Sequence, residues 1–412
     1  MNLQSVIDKK DKAARYMIDE ITHIIKTFGK RDPGAEGEKQ ACEYMAKVLK
    51  EECGCDRVEI DSFKLNPGSY YGWMWITFTF VFIAIGLLFV APIVSIILIA
   101  VGLLIALLEF GLYYKVVDFL FPERTSHNVT AIKSCTGEPK RRIFFNGHPD
   151  AAWELTLNYR FGGIVFELNN ILAAVGCLYY LVLAILTTVK YGPISTVQSD
   201  PLFFKLALGG LAFTPFFILM YFIRNLNQIV DGANDNLSGC YIGIAIMKEL
   251  EKQGIEFENT EVGVLLTGSE EAGLRGAKDW TAKYKEKYSD IPTFIIAYDT
   301  IHDPEQLMVN YRDLNSTVAS DKELSDLFLS SAKEVGAPVK KGLVPPLGGS
   351  TDNAAFRQAG FRSTGITGLN HNLEDYFHTR RDTYDNMDAD GLAHCYAASV
   401  KVLERFNKGE LD

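Results

Sequence analysis

The sequence predicts an α/β three-layer sandwich with a mixed central sheet, plus four transmembrane helices inserted as two hairpins. Two observations carry this. Amphipathic helical stretches alternate with short apolar runs along most of the chain, which is the pattern of a sheet covered by helices. Three long segments, Leu65–Leu108, Leu168–Val189 and Leu206–Ile223, contain no charged residue. A bilayer crossing needs about 20 apolar residues. The first segment is long enough for a helical hairpin turning near Ala91-Pro92, and the other two supply one helix each.

Lys10–Phe28 reads as an amphipathic helix, with Tyr16, Met17, Ile21, Ile24, Ile25 and Phe28 on one side and Gly29 as its stop. Glu38–Glu52 repeats the pattern through Ala41, Tyr44, Met45, Val48 and Leu49. Arg57–Lys64, His127–Lys133 and Arg142–Asn146 read as strands, and their short connections predict an antiparallel meander. Asn236–Gln253 is a helix closed by Gly254. Val262–Thr267 and Phe294–Tyr298 suit buried strands, Arg362–Thr367 another, and Asp388–Phe406 a closing helix. The expected boundaries are 1–65, 122–160 and 226–412 for the soluble domain, with hairpins at 66–121 and 161–225. Trp73, Trp75, Tyr113 and Tyr114 near the ends of the first apolar segment favour a membrane over a buried core.

Composition sets further bounds. The chain of 412 residues has 41 basic and 51 acidic side chains, a formal charge of −10, which excludes a nucleic-acid binder held by a basic surface. Met1–Glu20 is charged and lacks the apolar stretch of a signal peptide. The seven cysteines are scattered, and Cys53-Gly-Cys55 is too tight for a usual zinc pair, so reduced thiols are expected. Asn128-Val-Thr130, Asn236-Leu-Ser238 and Asn315-Ser-Thr317 match the glycosylation pattern, but without a secretory signal they read as chance matches.

Five places put metal-ligand residue types at strand ends or helix starts. His148 and Asp150 come after a strand in Asn146-Gly-His148-Pro-Asp150; one ring nitrogen can bind a metal while the acid fixes the tautomer. Taken alone, such a triplet is more often a surface turn. Asp235 opens a helix in Asp231-Gly-Ala-Asn-Asp235-Asn-Leu-Ser-Gly239, where a simple cap is the plainer reading. Glu270 and Glu271 come after the Val262–Thr267 strand; adjacent acids point in different directions, so one can bind metal and the other serve as a base. Asp299 closes a buried strand, either as a turn former or at the ligand-binding edge of an open sheet. His378 lies in Tyr376-Phe-His378-Thr-Arg-Arg-Asp382-Thr383, where Asp382-Thr383 can hold the loop or cap the next element.

In that order, the residues resemble the M28 family of zinc-dependent peptidases, the co-catalytic aminopeptidase fold. Gly-Ala-Asn-Asp235-Asn-x-Ser-Gly, Glu270-Glu271 and Phe-His378-Thr-x-x-Asp-Thr are the close matches; Gly348-Gly-Ser-Thr-Asp352-Asn353 matches the family's late Ser-Asp segment more loosely. The membrane insertions depart from the soluble members. The resemblance implies two zinc ions per chain: His148 and Asp299 on one, Glu271 and His378 on the other, and Asp235 bridging. It implies Glu270 as general base and Asp150 as support for His148. The implied activity is hydrolysis of a peptide or amide bond, as an aminopeptidase-like exopeptidase. Two alternatives stand beside it: a catalytically inactive member serving as a membrane binding protein, and a single-zinc glutaminyl-cyclase-like acyltransferase. A transporter ranks low because the apolar spans lack ionisable residues except Glu109 and Glu167 near their ends.

The meander would place both insertions at the sheet edge that carries His148. The active-site mouth is then expected to face the lipid bilayer, with an amphipathic or membrane-derived substrate; simple anchoring is the alternative. Lys64, Lys115, Arg124, Arg160 and Arg224 flank the helix ends on the soluble-domain side, against Lys190 and Lys205 on the other. The positive-inside rule then predicts a multi-pass protein of the cytoplasmic membrane with its catalytic domain in the cytoplasm.

Overall fold

The computed structural model describes residues 2–194, 200–369 and 376–412. Its strands, in chain order, are β1 (Arg57–Leu65), β2 (Arg124–Lys133), β3 (Arg141–Gly147), β4 (Trp153–Leu155), β5 (Arg224–Ile229), β6 (Thr260–Thr267), β7 (Thr293–Asp299), β8 (Met308–Asn310), β9 (Arg312–Asp313), β10 (Val318–Ala319), β11 (Lys340–Gly342) and β12 (Arg362–Thr367). The chain divides into two compact units: 1–67, 123–153 and 227–412 form one, and 68–122 with 154–226 form the other.

The first unit is built on a mixed sheet of eight strands, ordered β1-β2-β6-β3-β7-β12-β8-β11. β1 pairs antiparallel with β2, from Arg57 opposite Ile132 to Leu65 opposite Arg124. β3 runs parallel to both β6 and β7, and β7 parallel to β12. Period-two alternation sorts the side chains between the faces. Phe145 meets Tyr298 on one face, in a core shared with helices Lys10–Phe28, Glu36–Glu51, Ser238–Lys252 and Ala389–Asn407. Phe144 points to the other, where Trp280 of helix Arg275–Tyr284 stacks on Tyr288 and meets Phe356 of helix Asp352–Ala359. Helices on both faces make the expected three layers.

One expectation is corrected. β1, β2 and β3 do not form a meander of consecutive neighbours, because β6 lies between β2 and β3. The reason is burial. Ile143, Phe144 and Phe145 are all buried, so β3 needs cover on both faces and a central place in the sheet. Because β2 runs antiparallel to β6 and β3 parallel to it, β3 still points the same way as β1. The parallel strands β3, β6, β7 and β12 therefore end together on one edge, where open α/β sheets bind ligands.

Among the described residues, the second unit holds four helices long and apolar enough to cross a membrane: Ser69–Leu87, Pro92–Gly111, Gly163–Tyr191 and Pro201–Met220. The first pair turns just before Pro92, as expected. Their packing uses small residues. Gly102 lies against Thr77, whose hydroxyl donates to the Gly102 carbonyl at 3.0 Å, and Gly176 leaves room for Phe213 and Phe217. Ile83, Ile97, Leu104, Leu178 and Val182 are exposed, so these helices are apolar outside as well as inside. At Pro215, which lacks an N–H, the last helix passes through a 3-10 turn (Gly210–Phe213) before resuming at Thr214–Met220.

Candidate metal centre

Three of the site's acids and one imidazole stand at the ends of parallel strands. His148 comes directly after β3. Gly147, the last residue of that strand, permits the approach of helix Ser238–Lys252: a Cβ there would lie 2.4 Å from the backbone nitrogen of Cys240. Glu270 and Glu271 sit in a short turn, Glu270–Ala272, just beyond β6, and Asp299 ends β7. Asp235 lies in the kinked turn Ala233–Leu237 that leads into helix Ser238–Lys252. His378 occupies a left-handed backbone position, φ 50°, in the segment between β12 and the last helix.

These residues converge. Asp235 faces both imidazoles, with one oxygen 3.4 Å from His148 Nε2 and the other 3.0 Å from His378 Nε2. Asp299 lies 4.0 Å from His148 Nε2, and Glu271 lies 3.3 Å from His378 Nε2. Two groups of donors result, His148–Asp235–Asp299 and Asp235–Glu271–His378, each with all its ligand atoms within 4.8 Å of one another. Glu270 stands outside both groups, 3.7 Å from His148 Nε2.

The donor set fits divalent cations. His148 Nε2 and Glu271 Oε1 are buried and face charged side chains, yet neither makes a hydrogen bond, which leaves both atoms available to a cation among them. The donors are all imidazole and carboxylate, and the cysteines lie elsewhere, which suits zinc in a catalytic rather than a thiolate site.

Electrostatics agree. Burial and the neighbouring Asp235 push the Asp299 carboxyl well up. Burial, opposed by His148 but reinforced by Asp299 and Asp352, does the same to Glu270. Burial would depress both imidazoles, yet the facing carboxylates win: His148 titrates well above the ordinary range and His378 is pushed up to about 10. Asp235 resists burial through the two imidazoles and stays far below the usual carboxylate range. So many acids in one buried place cannot all ionise unless positive charge joins them.

Other residues hold the donors. Asp150 lies 3.4 Å from His148 Nδ1, and its two oxygens also accept from the Glu270 and Glu271 backbone N–H groups at 3.0 Å each. It thereby ties the imidazole loop to the acid turn. Asp382 accepts from the Asn234 backbone and side-chain nitrogens at 2.8 and 2.9 Å and from Asp235 N at 3.1 Å, which decides in favour of its holding the loop. Sequence reasoning missed Glu38. This buried acid accepts from Ser126 Oγ, from Gly34 N and, at 3.0 Å, from Ser269 Oγ, just before Glu270. The available signal was an acid in the same helical stripe as Ala41, Cys42, Met45 and Leu49, all buried.

The mixed eight-stranded sheet covered by helices on both faces is an α/β aminopeptidase-like fold. Residues 221–403 match the family model described as Peptidase family M28. Over that segment the chain is similar to the M28 peptidases, the family its motifs resemble. BSAP, a zinc aminopeptidase from Bacillus subtilis, superposes with a TM-score of 0.55 at 13% identity, covering 95% of this chain and 94% of its own. LapB from Legionella pneumophila gives 0.55 at 12%, covering 99% and 76%. A glutaminyl cyclase from an Acidobacteriales bacterium gives 0.54 at 15%, covering 97% and 95%. At these identities the likeness is one of fold. No curated protein sequence matches the chain significantly.

Proposed function

We propose that this protein is a membrane-embedded, two-zinc hydrolase that removes residues from the amino end of a peptide or cleaves a related amide. The carrying observation is Asp235, whose two oxygens face two separate donor groups. His148 and Asp299 would complete one zinc site, Glu271 and His378 the other. Zinc held by these residues would supply Lewis acidity at the reacting water and carbonyl. Glu270, close to the centre but outside both groups, takes the proton of the attacking water and returns it to the departing amine. No covalent intermediate is needed. Asp150, Asp235, Glu270, Glu271, Asp299 and Asp352 outnumber the charge that two divalent cations bring, and this acidic surplus favours a protonated substrate amine over a carboxylate.

Glu270→Gln tests the reading. The variant should bind zinc like the wild type and lose about a thousandfold or more in kcat, within the range seen for loss of a general base and its water. Near-wild-type turnover would refute the assignment. Zinc counting separates this function from the one-zinc cyclase alternative, which would show a single ion per chain.

The four apolar helices support a multi-pass membrane protein, and their flanking charges support a catalytic unit in the cytoplasm. An amphipathic or membrane-derived substrate is supported by where the chain leaves the sheet unit: after Pro67, just past β1, and after Trp153, just past the His148 loop. Acylated and short soluble peptides should be cleaved at different rates in detergent, the acylated faster; equal rates would remove that support.

A further inference from the structure

Arg31 lies between the first two long helices, Lys10–Phe28 and Glu36–Glu51, remote in sequence from every donor. It is completely buried. Among the described residues, its hydrogen bonds fall on two loops. Nε donates to the Pro149 carbonyl at 2.8 Å, and the Arg31 carbonyl accepts from Ala151 N at 3.0 Å, so backbone and side chain both grip the loop of His148. Nη2 donates to the carbonyls of Asp231 at 2.6 Å and Gly232 at 3.1 Å, in the loop that leads to Asp235. Lys30 adds a salt bridge to Asp231 at 2.6 Å.

The fit is close. Gly232 has φ 60°, and a Cβ there would stand 3.0 Å from Arg31 Nη2, 2.6 Å from the Asp235 carbonyl and 2.8 Å from Ala151 Cβ. A side chain at that position would part the two loops. A planar guanidinium presents its donors in a fixed fork, which a lysine ammonium does not. Burying such a cation is costly unless it is well bonded. Here Nε and Nη2 bond to loop carbonyls, Nη1 is buried without a hydrogen-bond partner, and no side-chain carboxylate stands at salt-bridge distance among the described residues.

We propose that Arg31 is a positioning residue for one of the two metal sites: it fixes the spacing between His148 and Asp235, and so sets the affinity of the His148–Asp235–Asp299 group. The inference rests on the two-zinc reading above. The other group, Asp235–Glu271–His378, depends on a different strut, Asp382, which joins Asp235 to the segment of His378. Loss of Arg31 therefore weakens one site and spares the other.

The experiment measures zinc bound to the full-length chain in detergent, at buffered free zinc, for Arg31→Met and Arg31→Lys in three backgrounds: wild type, His148→Ala and His378→Ala. In the His378→Ala background, where only the first group remains intact, both Arg31 variants should weaken the remaining zinc at least about tenfold, as losses of supporting partners do. In the His148→Ala background they should leave the remaining zinc within about twofold. Circular dichroism of the zinc-free variants checks folding; should Arg31→Met fail to fold, Arg31→Lys, which keeps the charge but not the fork, carries the test. Equal weakening in both backgrounds, the mark of a merely structural arginine, overturns the proposal. So does unchanged affinity in the His378→Ala background. A wild-type chain that binds no zinc overturns the metallohydrolase reading itself, which keeps the two failures distinguishable.

Discussion

Replacing Asp382 by Asn asks how strongly the bridging acid depends on its support. One Asp382 oxygen accepts two bonds from Asn234, and the other accepts from Asp235 N. An asparagine can place its carbonyl where the doubly bonded oxygen was and keep two bonds. Its amide then faces the Asp235 N–H, donor against donor. One buried bond is lost and one buried N–H is orphaned, worth about 1–3 kcal/mol. If that loss falls entirely on the geometry of Asp235, it corresponds to roughly a 5- to 150-fold fall in zinc affinity, since about 1.4 kcal/mol is tenfold. Competition against a fluorescent zinc chelator reads this directly, with the thermal unfolding of the zinc-free chain as control. An affinity within about twofold of wild type would refute the idea that Asp382 holds Asp235 in place.

Gly147→Ala puts a methyl against the backbone of Cys240 and Gly239, which cannot yield as a flexible side chain would. Overpacking of this kind costs about 1–3 kcal/mol, and here it also displaces His148, so the melting temperature and the zinc affinity should fall together; an unchanged melting temperature would contradict the packing argument. Glu404 supplies a pH test away from the site. Burial works to raise its carboxyl, but bonds from Lys408, Leu3 N and Lys401 outweigh it and hold it at about 2. A depressed folded-state value means the added stability is complete above the unfolded value, about 4.3, and is lost as pH falls toward about 2. The stability gap between wild type and Glu404→Gln, read by urea unfolding, should therefore narrow between about pH 6 and about pH 3; a gap independent of pH would contradict the linkage.

Much of the site was legible because its donors come straight after apolar strands. The runs ending at Asn146, Thr267 and Tyr298 marked β3, β6 and β7, and the parallel pairing of these strands brings the residues beyond their ends to one edge. Charge-free segments likewise exposed the four long helices. Other features left no local trace. The insertion of β6 between β2 and β3 depends on which strands need cover on both faces, a property of the whole sheet. Helices Arg275–Tyr284, Lys322–Glu334 and Asp352–Ala359 went unpredicted, as did the short strands β8 and β11, which carry too few residues to show a period. Arg31 was invisible as a site residue because its partners are backbone carbonyls distant in sequence, and Glu38 showed only as an acid within a buried helical stripe.

The central claim is that Asp235 stands between two cations. Anomalous diffraction at the zinc edge, from crystals of the full chain grown with zinc, tests it directly. Two peaks about 3.5–4 Å apart are predicted, one flanked by His148 and Asp299 and the other by Glu271 and His378, with Asp235 touching both. A single peak, or peaks that leave Asp235 out of contact, would contradict it.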